Sequence, residues 1–398
     1  MENEHKLKRN IKLFYISSFF NKFIIWIPFL VLFATEEVGL SYTQYMATEI
    51  IFNICVLFLE VPTGVVSDLI SRKLSWILGN AFLFFGAFLM IFFNSFWILL
   101  ISQILWAFYK SFHSGSNQAL VYDSLKIMGE EKKYTKILSN KNAIVSLSIL
   151  ISSLLAGFLV TFMNIRELFF IYPVFVFFSF ISSLFLQEPV RKTEEQERKF
   201  FLQVKNSLLL LKNKTELIPL VFFMALVPAF TKSIFWLATP LLIRLNIPEA
   251  YWGNVHALNR AVGIIILMQV PIVISRFGSK KSLLVSLLIM CLGSLMLYLQ
   301  IPVWAIMGFV MIINTRFVVS IFADNELNQY LPSGKRATIL SLVSVISNFV
   351  FPIGALISTY IFDNSTYELS LTSIILIFIL PIIIFARYVI KITQNEKF

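Results

Sequence analysis

The chain has 398 residues, of which 58% are hydrophobic and only 14% are charged, and its formal net charge is +11. So large an apolar fraction excludes a water-soluble globular protein, because the exterior of such a protein needs more polar cover. A helix needs about 20 apolar residues to cross a bilayer, so this length accommodates roughly a dozen membrane spans. The two cysteines, Cys55 and Cys291, lie far apart in hydrophobic runs, and neither a metal site nor a disulfide framework is expected.

Long hydrophobic runs joined by short polar loops predict an all-α membrane protein with twelve transmembrane helices. A charged segment at 188–216 separates six runs from six. It predicts an N-terminal six-helix bundle at 1–187, a cytoplasmic linker at 188–216 and a C-terminal six-helix bundle at 217–398. Within the linker, residues 200–211 fit either a helix on the membrane surface or a solvated segment. The predicted spans lie at about 12–34, 43–66, 75–93, 97–120, 140–163, 167–187, 217–243, 250–275, 282–299, 303–326, 337–361 and 368–391.

The basic residues are distributed unevenly between the two sides of the predicted membrane segments. Most of the 33 Lys and Arg residues fall in the terminal segments and in alternate loops. Loops rich in Lys and Arg remain in the cytoplasm, so both termini are predicted to be cytoplasmic in a multi-pass protein of the cell (cytoplasmic) membrane. The positive charge therefore reflects topology, and no nucleic-acid partner is expected.

The loop after the second predicted span carries the pattern G-x-x-x-D-x-x-x-R-K at Gly64, Asp68, Arg72 and Lys73. This pattern resembles the cytoplasmic loop signature of the major facilitator superfamily, although Ser71 stands where glycine is typical. In that superfamily the loop latches the two halves on the cytoplasmic side, so the resemblance implies a gating role. Gly64 is also expected to allow close packing where the helix ends. The alternative is that the basic residues only fix the topology of the loop.

Three stretches narrow this resemblance, at 60–64, 114–125 and 336–341. Together they resemble a bacterial branch of multidrug and small-molecule exporters. The resemblance implies two pseudo-symmetric bundles, with a substrate site near the midplane where they meet. We expect a monomeric secondary transporter that works by alternating access, is coupled to protons and exports a small molecule. The alternatives are an importer or facilitator of an anionic nutrient, and a lipid-flipping membrane protein. No phosphate-binding loop, metal-ligand spacing or nucleophile elbow is present, so no enzyme activity, cofactor or metal is expected.

Ionisable residues inside the predicted spans are the strongest pointers to a site, because charge in a membrane is costly. The basic ones outnumber the acids that could neutralise them, which favours a wet cavity and an anionic or zwitterionic substrate. Each could instead pair with an acid or reach the membrane surface. Proton coupling needs a group that titrates, and a buried carboxylate or a histidine meets that need. The predicted cavity residues are Lys22, Glu49, Lys110, Lys232, Arg260 and Arg316. The candidates for proton coupling are Glu49, Glu60, His113 and His256.

Overall fold

The computed structural model describes residues 2–189, 217–330 and 333–395 of the chain. These residues are largely helical and contain no strand, which confirms the predicted all-α class. The predicted linker lies almost entirely outside the described residues, including its candidate surface helix at 200–211. The helices are α1 (Glu2–Asn21), α2 (Tyr42–Val65), α3 (Arg72–Leu89), α4 (Phe96–His113), α5 (Ser116–Ile127), α6 (Tyr134–Leu159), α7 (Ile165–Leu184), α8 (Ile218–Trp236), α9 (Ala238–Arg244), α10 (Trp252–Phe277), α11 (Ser279–Leu299), α12 (Pro302–Tyr330), α13 (Ser333–Asn364) and α14 (Tyr367–Asn395).

Ten helical segments among the described residues are long and apolar enough to cross a membrane. They match ten of the twelve predicted spans. The other two, at 12–34 and 97–120, are the first and fourth predicted spans. Neither contains a helix that is long and apolar enough to cross a membrane, because helix breaks and polar residues interrupt the apolar run. The protein is therefore a multi-pass membrane protein whose sequence pattern fits twelve spans.

Three predicted continuous spans are broken in the structure. The first stops at Asn21 and resumes at Ile27 as a short 3-10 turn, Leu30–Leu32 and a π-helical turn, Phe33–Glu37. The fourth breaks between α4 and α5, where Gly115 has a φ of 85°, a conformation that disfavours any side chain. The seventh breaks at Leu237, between α8 and α9. Each break leaves a helix end inside a span that was predicted to be uninterrupted.

The helices form two compact units. Unit 1 comprises Met1–Glu197 together with Pro248–Ala257, and unit 2 comprises Arg198–Ile247 together with Leu258–Phe398. The predicted domains at 1–187 and 217–398 stay a prediction.

Unit 1 is held together by helices that are distant in sequence. Helix α4 packs against α2 and α3, and α1 packs against α6 and α7. One core cluster includes Phe14, Trp76, Leu120 and Leu125, and the rings of Phe14 and Trp76 meet edge to face at 5.8 Å. Close packing of these side chains fixes how the helices of unit 1 meet.

Unit 2 is built around α8, which packs against α12, α13 and α14. Helices α11 and α12 approach closely at Gly293 and Gly308, because a Cβ on Gly308 would lie 2.5 Å from the carbonyl oxygen of Gly293. Small residues permit this kind of backbone contact between membrane helices.

Candidate functional site

A mixed-charge cluster occupies the contact between α2 and α4 in unit 1. Glu49 and Glu60 lie eleven residues apart on α2, which is close to three helical turns and puts both on one face. The Glu49 carboxylate is buried and accepts a hydrogen bond of 2.6 Å from Nε2 of Gln103 on α4. The positive charge of Lys110, also on α4, interacts favourably with both carboxylates. Its Nζ lies 5.3 Å from the ring centroid of Phe52. The structure thus brings together three of the predicted residues.

Lys22 follows directly on the last residue of α1, at the break in the first span. Its Nζ lies 5.9 Å from the ring centroid of Tyr109. The carbonyl oxygens near this helix end accept hydrogen bonds from other helices: Tyr172 Oη donates to Asn21 (3.0 Å) and Ser148 Oγ donates to Phe19 (2.6 Å). The end of α1 at the break is therefore tied to α6 and α7 by hydrogen bonds.

Three predicted cavity residues belong to unit 2. Lys232 lies four residues before the end of α8, with its Nζ 4.2 Å from the ring centroid of Phe351. Arg316, near the middle of α12, has its guanidinium carbon 4.8 Å from the ring centroid of Phe317. Arg260 is on α10 and is partly buried. Lys22, Lys110, Lys232 and Arg316 thus each have an aromatic ring within reach of a cation–π contact.

The two histidines considered for proton coupling occupy packed positions. The His113 ring lies against α3, where a Cβ on Gly79 would come within 2.4 Å of Cδ2, and its Nδ1 is 3.3 Å from Nδ2 of Asn117. His256 is buried near the start of α10. His113 therefore has a packing role, whatever its role in proton transfer.

Part of the predicted gating loop is fixed within unit 1. Arg72 forms an ion pair with Asp123 on α5, and both side chains are largely buried. Ser71 has an extended backbone, with φ of −165°, and its hydroxyl accepts a hydrogen bond from the backbone N–H of Leu74 at the start of α3. The departure from glycine at this position therefore introduces a helix cap and no strain. The side chain of Asp68 lies outside the described residues.

The expected packing role of Gly64 is wrong for this structure. A Cβ on Gly64 would meet no described atom within 4 Å. Gly115 likewise has open space around it, and its positive φ is what the chain requires there. The close approach of helices in unit 1 occurs instead at Gly157 and Gly253, where a Cβ on Gly253 would lie 2.1 Å from the carbonyl oxygen of Ser153.

Sequence reasoning missed Glu188, the residue that holds the start of α3. Its carboxylate accepts hydrogen bonds from Ser71 Oγ (2.7 Å) and from the backbone N–H groups of Arg72 (3.1 Å) and Lys73 (2.6 Å). A carboxylate at a helix N-terminus satisfies N–H groups that have no partner within the helix. Because Glu188 follows α7, more than 110 residues away, no local pattern could have paired it with this loop.

A second missed residue, Asn10 on α1, ties the same region to the end of α7. Its Nδ2 donates to Ser124 Oγ and to the carbonyl oxygen of Gln187, both at 2.9 Å, and its Oδ1 accepts from the backbone N–H of Gln187. No group of three or more metal-ligating side chains occurs in the part of the chain that the structure describes.

A family model of the Major Facilitator Superfamily matches residues 13–325. The chain is 25% identical to an uncharacterized MFS-type transporter, YxaM, of Bacillus subtilis (strain 168), over 94% of this chain and 92% of that protein.

Among solved structures, a mutant form of the nucleoside transporter NupG aligns with a TM-score of 0.80 at 14% identity, over 98% of this chain and all of that one. A bacterial homologue of the lysosomal transporter Spinster aligns with a TM-score of 0.73 at 14% identity, over 99% and 97% of the two chains. A bacterial homologue of the iron transporter ferroportin aligns with a TM-score of 0.72 at 17% identity, over 96% and 99%. These likenesses show the fold.

Proposed function

We propose that this chain, which belongs to the Major Facilitator Superfamily of membrane transporters, is a proton-coupled secondary transporter that exports a small molecule by alternating access. The protein acts as a monomer in the cytoplasmic membrane, with both termini in the cytoplasm. It needs no cofactor, because the proton gradient supplies the energy. The cavity is lined by the six predicted residues Lys22, Glu49, Lys110, Lys232, Arg260 and Arg316.

The observation that carries the proposal is the cluster of Glu49, Glu60 and Lys110. A carboxylate in a membrane-embedded helix is costly in its charged form, and a neighbouring ammonium group offsets that cost. Arrival of a proton at Glu60 would release Lys110 from one of its two partners. That change of charge links protonation to the position of α4 relative to α2, both in unit 1. Glu49, held by Gln103, is the fixed member of the cluster.

Everted membrane vesicles test proton coupling. Respiration acidifies the vesicle interior, which quenches acridine orange, and an exported substrate that exchanges for protons restores the fluorescence. The probes are a panel of membrane-impermeant sulfonates, phosphorylated metabolites, amino acids and neutral sugars. We expect dequenching by at least one class with the native protein and its loss with Glu60→Gln. The matched control is Glu130→Gln, which neutralises a partly exposed carboxylate that pairs with the exposed Lys133.

Two results would overturn this version of the proposal. One is the absence of dequenching by every class. The other is counterflow of a radiolabelled probe in proteoliposomes at the same rate with and without a pH gradient, in both the native protein and Glu60→Gln. The second result, with inward flux favoured, would support the importer or facilitator of an anionic nutrient.

The loop of Gly64, Asp68, Arg72 and Lys73 controls closure in this proposal. Asp68→Asn is expected to impair transport while expression and membrane insertion stay near normal, because a fixed topology requires only the basic residues. Arg276→Gln, which removes an exposed charge at the end of α10, is the comparison variant. Normal flux in Asp68→Asn would show that the loop only sets topology.

A further inference from the structure

Arg260 on α10 and Arg316 on α12 form a pair of like charges within unit 2. Their helices are joined next to the arginines, where Nδ2 of Asn314 donates to Oδ1 (2.8 Å) and to the carbonyl oxygen (3.3 Å) of Asn259. Gly263 makes this approach feasible, since a Cβ there would lie 2.6 Å from Oδ1 of Asn314. The two guanidinium groups lie close enough that their charges repel.

Neither arginine has a counter-charge in the part of the chain that the structure describes. None of the ion pairs found there includes Arg260 or Arg316. The Nε of Arg316 is buried and has no hydrogen-bond partner. The nearest acid along α12 is Asp324. It follows Arg316 by eight residues, so the two Cα atoms are about 12 Å apart along the helix axis.

Such an arrangement is unfavourable for the folded protein by itself. Burying an unpaired charge carries a desolvation cost, and placing two like charges together adds to it. Packing does not require either charge, because an uncharged side chain could fill the same space. An oxyanion would remove both penalties at once, because guanidinium groups present N–H donors in a planar fork that matches carboxylate and phosphate oxygens.

We propose that Arg260 and Arg316 form an oxyanion-binding site, which takes a carboxylate, phosphate or sulfonate group of the transported molecule. This inference rests on the proposed function and narrows its substrate to organic anions. Phe317 stacks on the guanidinium of Arg316 and orients its fork, while Asn314 and Asn259 hold the two helices in register.

The test is thermal unfolding of the full-length protein purified in detergent, at constant ionic strength. Chloride is replaced by inorganic phosphate, succinate or methanesulfonate as the probe. At least one probe is expected to raise the unfolding midpoint of the native protein. Arg260→Gln and Arg316→Gln are expected to weaken binding of that probe by at least about 10-fold, because each removes a charge-assisted contact. Arg276→Gln, on the same helix as Arg260 but exposed, should bind the probe as the native protein does.

A second readout separates a ligand site from a structural role. Without a probe, Arg316→Gln should unfold at the native temperature or above it, because the variant no longer buries an unpaired charge. A lower midpoint would mean that the charge stabilises the fold, and would overturn the proposal. So would the absence of a shift with all three probes, or a shift that both glutamine variants retain.

A phospholipid headgroup carries the same chemistry as a soluble oxyanion, and a further arm distinguishes them. Anionic phosphatidylglycerol is added to the detergent-solubilised protein and compared with zwitterionic phosphatidylcholine. Arginine-dependent stabilisation by phosphatidylglycerol alone would assign the site to lipid and overturn the substrate assignment. Binding in detergent does not depend on flux, so a positive result here with no transport in vesicles would reject the proposed function and leave the site.

Discussion

The two units differ in how their buried polar and charged groups are paired. In unit 1 several of them hydrogen-bond to one another across helices: Asn21 donates to Asn80 (3.0 Å), Asn80 donates to the carbonyl of Ser179 (3.2 Å), and Gln103 donates to Glu49. In unit 2 the positive charges of Arg260 and Arg316 repel each other, and no ion pair found among the described residues includes either one. The contrast separates polar groups that hold helices together from charges whose partner comes from outside the protein.

The difference has a physical consequence for substitution. Removing one member of a satisfied network strands its partners, which costs more than the lost bond itself. Removing one of two charges that repel each other strands nothing. The same chemical change, a charged side chain replaced by a neutral one, should therefore destabilise unit 1 and spare unit 2.

The largest effect is expected for Glu188→Ala, because it strands three donors at the start of α3 in unit 1. The site is only partly buried and water can replace some of the lost bonds, so we expect a loss of about 2–3 kcal/mol. That loss corresponds to a fall of about 5 °C in the thermal midpoint of the purified protein.

Glu130→Ala is the matched control for Glu188. Glu130 is also a carboxylate in a loop of unit 1, but its partner Lys133 is exposed. Its midpoint should equal that of the native protein. If the two variants had the same unfolding midpoint, the hydrogen bonds of Glu188 would add no measurable stability. The contrast drawn between the two units would then fail.

A double-mutant cycle on Glu49 and Lys110 gives the next largest effect. Glu49→Gln removes a buried carboxylate that interacts with Lys110, and a neutral substitution of Lys110 removes the other charge. Each of these single variants should lose about 1–2 kcal/mol of unfolding free energy. The double variant should lose less than the sum, with a coupling of about 1 kcal/mol. Chemical unfolding in detergent measures all four proteins. Additive losses would contradict the idea that charges in unit 1 compensate each other.

The smallest effect is expected for Arg244→Gln in unit 2. Arg244 pairs with Glu368 and donates through Nε to Gln300 (2.6 Å), but its side chain is 45% exposed. Exposed pairs contribute less than about 1 kcal/mol, so the unfolding midpoint should change little. A large fall would show that unit 2 depends on its ion pairs as unit 1 does. The comparison between the units would then rest on Arg260 and Arg316 alone.

The sequence was sufficient for the class of fold, because hydrophobic runs of the right length identify membrane helices without reference to tertiary contacts. It could not locate the breaks at 22–26, Gly115 and Leu237. A break inside an apolar run depends on hydroxyl groups from other helices, such as Tyr172 and Ser148, to satisfy the exposed carbonyls.

The sequence was sufficient to predict the residue types of the candidate site, but not the side chains that contact them. The basic residues were apparent because charge inside a span stands out. Their partners were not: aromatic rings such as Phe351 and Tyr109 occur throughout the chain, and only the fold selects which ring meets which cation. Glu188 was missed for the same reason, since its three donors lie more than 110 residues away.

The breaks in the first, fourth and seventh spans have an electrostatic consequence. Lys22 follows the end of α1, Lys110 is in the last turn of α4, and Lys232 lies one turn before the end of α8. The aligned peptide dipoles of a helix place about half a negative charge at its carboxyl end. Because this effect is confined to the helix end, it partly neutralises Lys22 and Lys110 and acts less on Lys232, and a continuous helix would not offer it. Arg316, in the interior of an unbroken helix, is far from any helix end, and that contrast sets it apart from these three lysines.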